Sequence, residues 1–143
     1  FVIDNLTRLC LTVLEPVRVH FNLPVVIRSG YRPLQLEALL YKKKLFRMRE
    51  EQGVEAVETW LLRKQHPRGE AADFEVLGVS NYEVAEWVRT NLEFDQLILE
   101  FYYPEDPNSG WVHCSRKLKD NRKEVLTINA NGTSLGLLTL NTN

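Results

Sequence analysis

The chain has 143 residues, 44% hydrophobic and 26% charged, with a formal net charge of −1. That balance fits a single globular domain around one apolar core, and it excludes a disordered chain or a strong overall field for nucleic acid or membrane surfaces, leaving only local patches. No apolar run reaches membrane-spanning length, and the opening residues lack a signal-peptide pattern.

Asp4 to Val19 reads as a helix, with Leu6, Leu9, Cys10, Val13, Leu14 and Val17 on one face and Asp4 or Asn5 available to cap its start. Pro24 to Ile27 is a short β-branched run expected to form a buried strand, followed by the turn Arg28-Ser29-Gly30-Tyr31-Arg32-Pro33. Leu34 to Arg63 is helical and highly charged. Gly53 divides it in two, and its basic cluster (Lys42, Lys43, Lys44, Arg47, Arg49) reads as a solvated face. The stretch around residues 37–63 is expected to be a charged helical insertion in a single domain spanning 1–143.

Glu70 to Val76 reads as a strand. Ser80, with Glu83 three residues on, opens a helix to about Leu92. Asp95 to Phe101 and Gly110 to Ser115 read as strands joined by an acidic, proline-containing loop. Glu124 to Ala130 and Thr133 to Leu140 form a hairpin closed by Asn131-Gly132. The expected fold is α+β, with helices packed on a mostly antiparallel sheet. Cys10 and Cys114 are too few for a disulfide framework and read as partly buried free thiols.

The stretch most informative about chemistry is His66-Pro67-Arg68-Gly69-Glu70-Ala71-Ala72-Asp73, followed by Trp111-Val112-His113-Cys114-Ser115. Two histidines and one carboxylate form a zinc shell that leaves a coordination position open, the mark of a catalytic rather than a structural ion. Strand alternation puts Trp111, His113 and Ser115 on one face and Cys114 on the other, so Cys114 is not a ligand to the same ion. Gln96, Ile98 and Glu100 share a face, while Leu97, Leu99 and Phe101 are expected in the core. Glu100 is then a carboxylate at a strand end, suited to take a proton from a water that zinc acidifies to a pKa of roughly 7. Its bland alternative is a solvated strand-end acid. His20 lacks any such context and reads as a packing or solvent-facing side chain.

Together these residues resemble the zinc D-alanyl-D-alanine carboxypeptidases, peptidoglycan metallopeptidases whose superfamily includes vancomycin-resistance dipeptidases, phage endolysin peptidases and the hedgehog signalling domain. The resemblance rests on His66 with Gly69, Ala71 and Asp73, on Trp111-Val112-His113, on Ser29-Gly30-Tyr31-Arg32, and on the strand Phe94 to Glu100. It covers the chain to about Leu126 and implies a hedgehog/DD-peptidase-like fold. It also implies one Zn2+ held by His66, Asp73 and His113, with Glu100 as general base. Arg32 becomes the clamp for a substrate carboxylate or polarised carbonyl, and Ser29 and Tyr31 shape that subsite.

The implied reaction is hydrolysis of an amide bond in a peptidoglycan peptide, as a D-Ala-D-Ala carboxypeptidase or related endopeptidase. The implied protein is monomeric and periplasmic, extracellular or phage-borne. Two other readings share the fold: a zinc-containing, non-catalytic binding module, and a structural component of a phage particle.

The chain departs from the family pattern at three places. Lys64 stands where relatives carry a serine. Gly110 stands where many relatives carry an acid, which leaves Glu100 as the candidate base, with Glu105 and Asp106 as loop substitutes. Trp111 stands where hedgehog has a histidine.

Overall fold

The computed structural model describes residues 1–138, and the end of the expected second hairpin strand, Thr139-Leu140, lies outside them. The chain opens with a continuous helical rod: α1 (Val2–Leu9), a π segment at Cys10–Leu14, and α2 (Glu15–Phe21), ended by Asn22 in the left-handed conformation. It starts two residues earlier than the sequence suggests. Asn5 does not cap it but is buried, donating from Nδ2 to the Arg68 carbonyl at 2.8 Å. Leu9, Val13 and Val17, four residues apart, form the stripe that meets the core.

Strand β1 (Val25–Ser29) precedes three short helices: α3 (Leu34–Leu40), α4 (Lys42–Gln52) and α5 (Val54–Leu62). Gly53 separates the last two, as expected, and a further break falls at Tyr41. A short 3-10 turn, His66–Arg68, leads into β2 (Ala71–Val76). Helix α6 (Asn81–Asn91) begins at Ser80, whose hydroxyl accepts from the Glu83 amide. The remaining strands are β3 (Gln96–Glu100), β4 (Trp111–Ser115), β5 (Glu124–Asn129) and β6 (Gly132–Leu135).

The fold is α+β, built on a six-stranded sheet in the order β1-β2-β4-β3-β5-β6. Every neighbouring pair is antiparallel except β3 and β5, so the sheet is mixed but mostly antiparallel. No helix among the described residues is long and apolar enough to cross a membrane.

One face of the sheet carries the apolar core. Phe74, Leu97, Leu99, Val112 and Cys114 meet Leu9, Val13 and Val17 of the opening rod and Val84, Ala85 and Val88 of α6. Burying each large aliphatic or aromatic side chain here contributes about 1.5–3 kcal/mol. The opposite face is where the polar residues of β2, β3 and β4 gather.

Four expectations are corrected. Strand β1 is a half-exposed edge strand, with Ile27 48% exposed, because only β2 flanks it. Phe101 lies outside the core: β3 ends at Glu100, and Phe101 turns away with φ +53° to rest near Trp111. The hairpin turn is Ala130-Asn131, since Gly132 already pairs with Asn129. Cys10 is exposed, whereas Cys114 is buried in the core.

Candidate metal centre

The strand register assembles the site. Asp73 pairs across with Ser29 on one side and His113 on the other, and His113 pairs with Ile98. All lie on the face away from the core, and Glu100 is two residues along β3 from Ile98 on that face. His66 enters from the 3-10 turn before β2. That turn is tied to the sequence's Ser-Gly-Tyr-Arg loop by the Arg32 amide, which donates to the His66 carbonyl.

His66, Asp73 and His113 are all buried, and one donor atom from each lies within 4.8 Å of the others. His66 Nε2 is 3.4 Å from Asp73 Oδ2, and His113 Nδ1 is 2.9 Å from Asp73 Oδ1. Zinc bonds of about 2.0–2.1 Å at tetrahedral angles separate ligands by roughly 3.3 Å, so the spacing suits one ion.

The outward nitrogens are held by acceptors, which leaves the inward ones available to a cation. His66 Nδ1 lies 2.7 Å from the Gly30 carbonyl, which can only accept, so that nitrogen carries the proton and Nε2 keeps its lone pair. His113 Nε2 faces Gln65 Oε1 at 3.4 Å. The Gln65 amide is oriented by its own donation to Asp95 Oδ2 at 2.6 Å, which turns its oxygen towards the imidazole. With both rings neutral, two lone pairs and a carboxylate converge, a donor set that could hold a metal ion. Metal-binding histidines commonly have their second nitrogen fixed by an acceptor in this way.

The electrostatics agree. Burial pushes the Asp73 carboxyl upward, but without an ion the hydrogen bonds and charge of protonated His113 and His66 outweigh it and hold the group well below the usual carboxylate range, so Asp73 stays ionised when positive charge stands between the rings. Burial lowers the affinity of His113 for a proton against the opposing pull of Asp73, which favours the neutral, ligating ring.

The centre opens into a cleft of about 530 Å³ whose lining includes Arg32, Glu100 and Trp111. Asp73 and Glu100 are its two carboxylates among the described residues. Glu100 is pushed up to about 7, first by burial and then by the negative charge of Asp73. His66, a hydrogen bond with Trp111 and Arg32 oppose the shift. The exposed Glu105 and Asp106 lie outside the lining, and Asp106 instead accepts from the Asn108 amide to shape its loop.

Arg32 lines the cleft with its guanidinium fixed from behind: Nε donates to Glu37 at 2.6 Å and Nη1 to Ser29 Oγ at 3.1 Å. Ser29 thus braces Arg32. Tyr31 is 49% exposed and outside the cleft lining. Lys64 lies in the cleft wall, above the rings of Trp60 and Tyr41. The helices of the charged segment therefore contribute to the cleft, while its lysines 42–44 remain exposed. His20 stacks on Trp87, with centroids 4.3 Å apart, remote from this cleft.

Sequence reasoning missed Glu37, Gln65 and Asp95. Gln65 directly precedes a ligand, which is the one local signal for it. Glu37 and Asp95 act through contacts that only the tertiary structure creates.

No protein-family model matches the chain, and no curated protein does. Among solved structures, the chain is similar to a zinc-bound mutant of the vancomycin-resistance D,D-pentapeptidase VanY from the VanB-type resistance cassette. The two are 19% identical, the alignment covers 82% of this chain and 71% of that one, and the TM-score is 0.40. The chemistry of the site follows from its own geometry.

Proposed function

We propose that the protein is a zinc-dependent peptidase that hydrolyses an amide bond in a peptidoglycan peptide, as a D-Ala-D-Ala carboxypeptidase or related endopeptidase. The observation that carries the reading is Glu100, a second carboxylate lining the same cleft as the three converged donors. Ion retention alone does not require it. The choice of substrate rests on the sequence resemblance at His66 to Asp73, Trp111 to His113 and Ser29 to Arg32.

Bound by His66, Asp73 and His113, zinc supplies a Lewis acid with an open position. Glu100 takes a proton from the attacking water as the water oxygen bonds to the carbonyl carbon. Glu100 then gives that proton to the amide nitrogen as the C–N bond breaks, leaving a carboxyl product and a free amine. Arg32 offers its fixed guanidinium to the substrate carboxylate or to the negative charge growing on the carbonyl oxygen.

The test is hydrolysis of D-Ala-D-Ala and L-Ala-D-Glu peptides, with zinc and with chelator, using Glu100→Gln as control. Zinc-dependent turnover that falls about 10²–10⁴-fold in Glu100→Gln supports the reading. Zinc bound without turnover of any wall peptide rejects it in favour of a non-catalytic module.

A further inference from the structure

The hydrolysis above leaves four residues of the cleft lining, Tyr41, Trp60, Arg63 and Lys64, without a role. Trp60 and Tyr41 meet edge to face, with centroids 5.0 Å apart, and the Lys64 ammonium sits 3.9 Å from the Trp60 centroid and 4.5 Å from that of Tyr41. Arg63 lines the same wall. Neither Lys64 nor Arg63 has an acidic partner among the described residues, unlike the other two cations of the cleft. Arg32 is paired with Glu37, and Arg122 with Asp95 and Glu124. Aromatic faces hold a cation in place without neutralising it.

The cleft is thus lined by four cationic side chains against two carboxylates, in a chain whose formal net charge is −1. Of the two carboxylates, Asp73 is one of the metal donors and Glu100 is assigned to proton transfer. The unpaired positive charge of Lys64 and Arg63 therefore acts on whatever occupies the cleft, and a concave wall concentrates its field.

Resting on the peptidase reading, we propose that Lys64, held over the Trp60 and Tyr41 rings, and Arg63 in the same cleft lining form a second anion subsite that takes a side-chain carboxylate of the substrate. The preferred substrate is then an acidic peptide, with one carboxylate or the reacting carbonyl at Arg32 and another at Lys64. The edge-to-face aromatic pair holds the Lys64 ammonium in the cleft wall, and two unpaired cations supply charge-assisted hydrogen bonds.

The test compares two peptides that differ only by Glu or Gln next to the scissile bond. Their binding to zinc-loaded Glu100→Gln protein is measured by calorimetry, and their cleavage by the wild type is followed separately. The Glu peptide is expected to bind about tenfold more tightly, a preference that weakens with added salt. The preference should vanish in the Arg63→Gln, Lys64→Met double variant and persist in Lys64→Arg. Lys64→Met keeps an aliphatic stem on the aromatic pair, and thermal unfolding verifies that each variant is folded. Equal affinity for the two peptides, or a preference that survives the double substitution, overturns the subsite. A preserved preference without cleavage of either peptide upholds the subsite and rejects the peptidase reading instead.

Discussion

Glu37 is completely buried and accepts a hydrogen bond from Arg32 Nε at 2.6 Å. A carboxylate is costly to bury unless a charge meets it, and Arg32 does so while directing the rest of its guanidinium towards Asp73, with Nη1 3.6 Å from Oδ2. The pair joins the start of α3 to the cleft and sets the angle at which Arg32 meets a ligand.

Glu37→Leu should therefore destabilise the fold by about 3–5 kcal/mol, since it strands a largely buried guanidinium. Chemical denaturation measures that loss. In the surviving folded protein the KM for a carboxylate-bearing peptide should rise more than kcat falls, because Arg32 is misplaced while Glu100 is not. Glu37→Gln keeps an acceptor and should restore most of the binding. A Glu37→Leu protein with unchanged stability and KM would show that the pair positions nothing.

A second relay runs from Asp95 through Gln65 to His113. Asp95 is almost fully buried, and its carboxyl is held down to about 2: burial raises it, but hydrogen bonds from Arg122 and Lys117 prevail. Gln65→Ala frees the His113 ring, and zinc affinity should fall about tenfold to a hundredfold, as read by competition with a chromophoric chelator. Asp95→Asn should produce a smaller loss, because Gln65 can then rotate its amide. Unchanged affinity in Gln65→Ala would mean that strand β4 alone orients the ring.

Much of this was legible before the structure. Alternation along β3 and β4 put Glu100 and His113 on one face and sent Leu97, Leu99 and Cys114 to the other, because a strand with one buried face leaves its pattern in the sequence. The capping serine and the helix break at Gly53 are local chemistry and were equally visible. The parallel pairing of β5 with β3 was not visible, since strand order depends on contacts distant in the chain. Phe101 was misplaced for a related reason: a hydrophobic residue continuing an alternation looks internal until the strand end is known. The Lys64–Trp60–Tyr41 wall brings the break at Tyr41 against the end of α5, a contact distant in the chain that no local pattern announces.

The pH dependence of the metal-free protein tests the environment of Glu100. Its folded value of about 7 stands above the ordinary 4.5. For an acid raised on folding, the protonated form is favoured in the native state, so that stability is fully present below about 4.5 and is lost as pH rises through about 7. The melting temperature of the metal-free wild type should therefore fall relative to Glu100→Gln between pH 5 and 8. Added zinc should shrink the difference, because a nearby cation favours the carboxylate. Parallel curves for the two metal-free proteins would place Glu100 in a solvated setting.

Gly110 explains the absence of an acid three residues before His113. Its φ is +67°, and an added Cβ would lie 1.9 Å from the Glu100 carbonyl oxygen. The backbone of this loop end passes against the end of β3 so closely that no side chain fits, and that contact helps to set where Glu100 leaves the strand. Gly53 supplies the control, with a positive φ of +88° and no atom within 4 Å of the point a Cβ would occupy. Gly53→Ala should cost about 1–3 kcal/mol from backbone strain alone, because φ 88° with ψ 174° is a region essentially reserved for glycine. Gly110→Ala should cost clearly more than that and should lower peptide hydrolysis while zinc stoichiometry stays at one, since the strand end carrying Glu100 must move and the three donors need not. Denaturation midpoints, elemental analysis and turnover measured on both variants separate these effects. Equal behaviour of the two alanine variants would remove the close approach as the reason for glycine at this place.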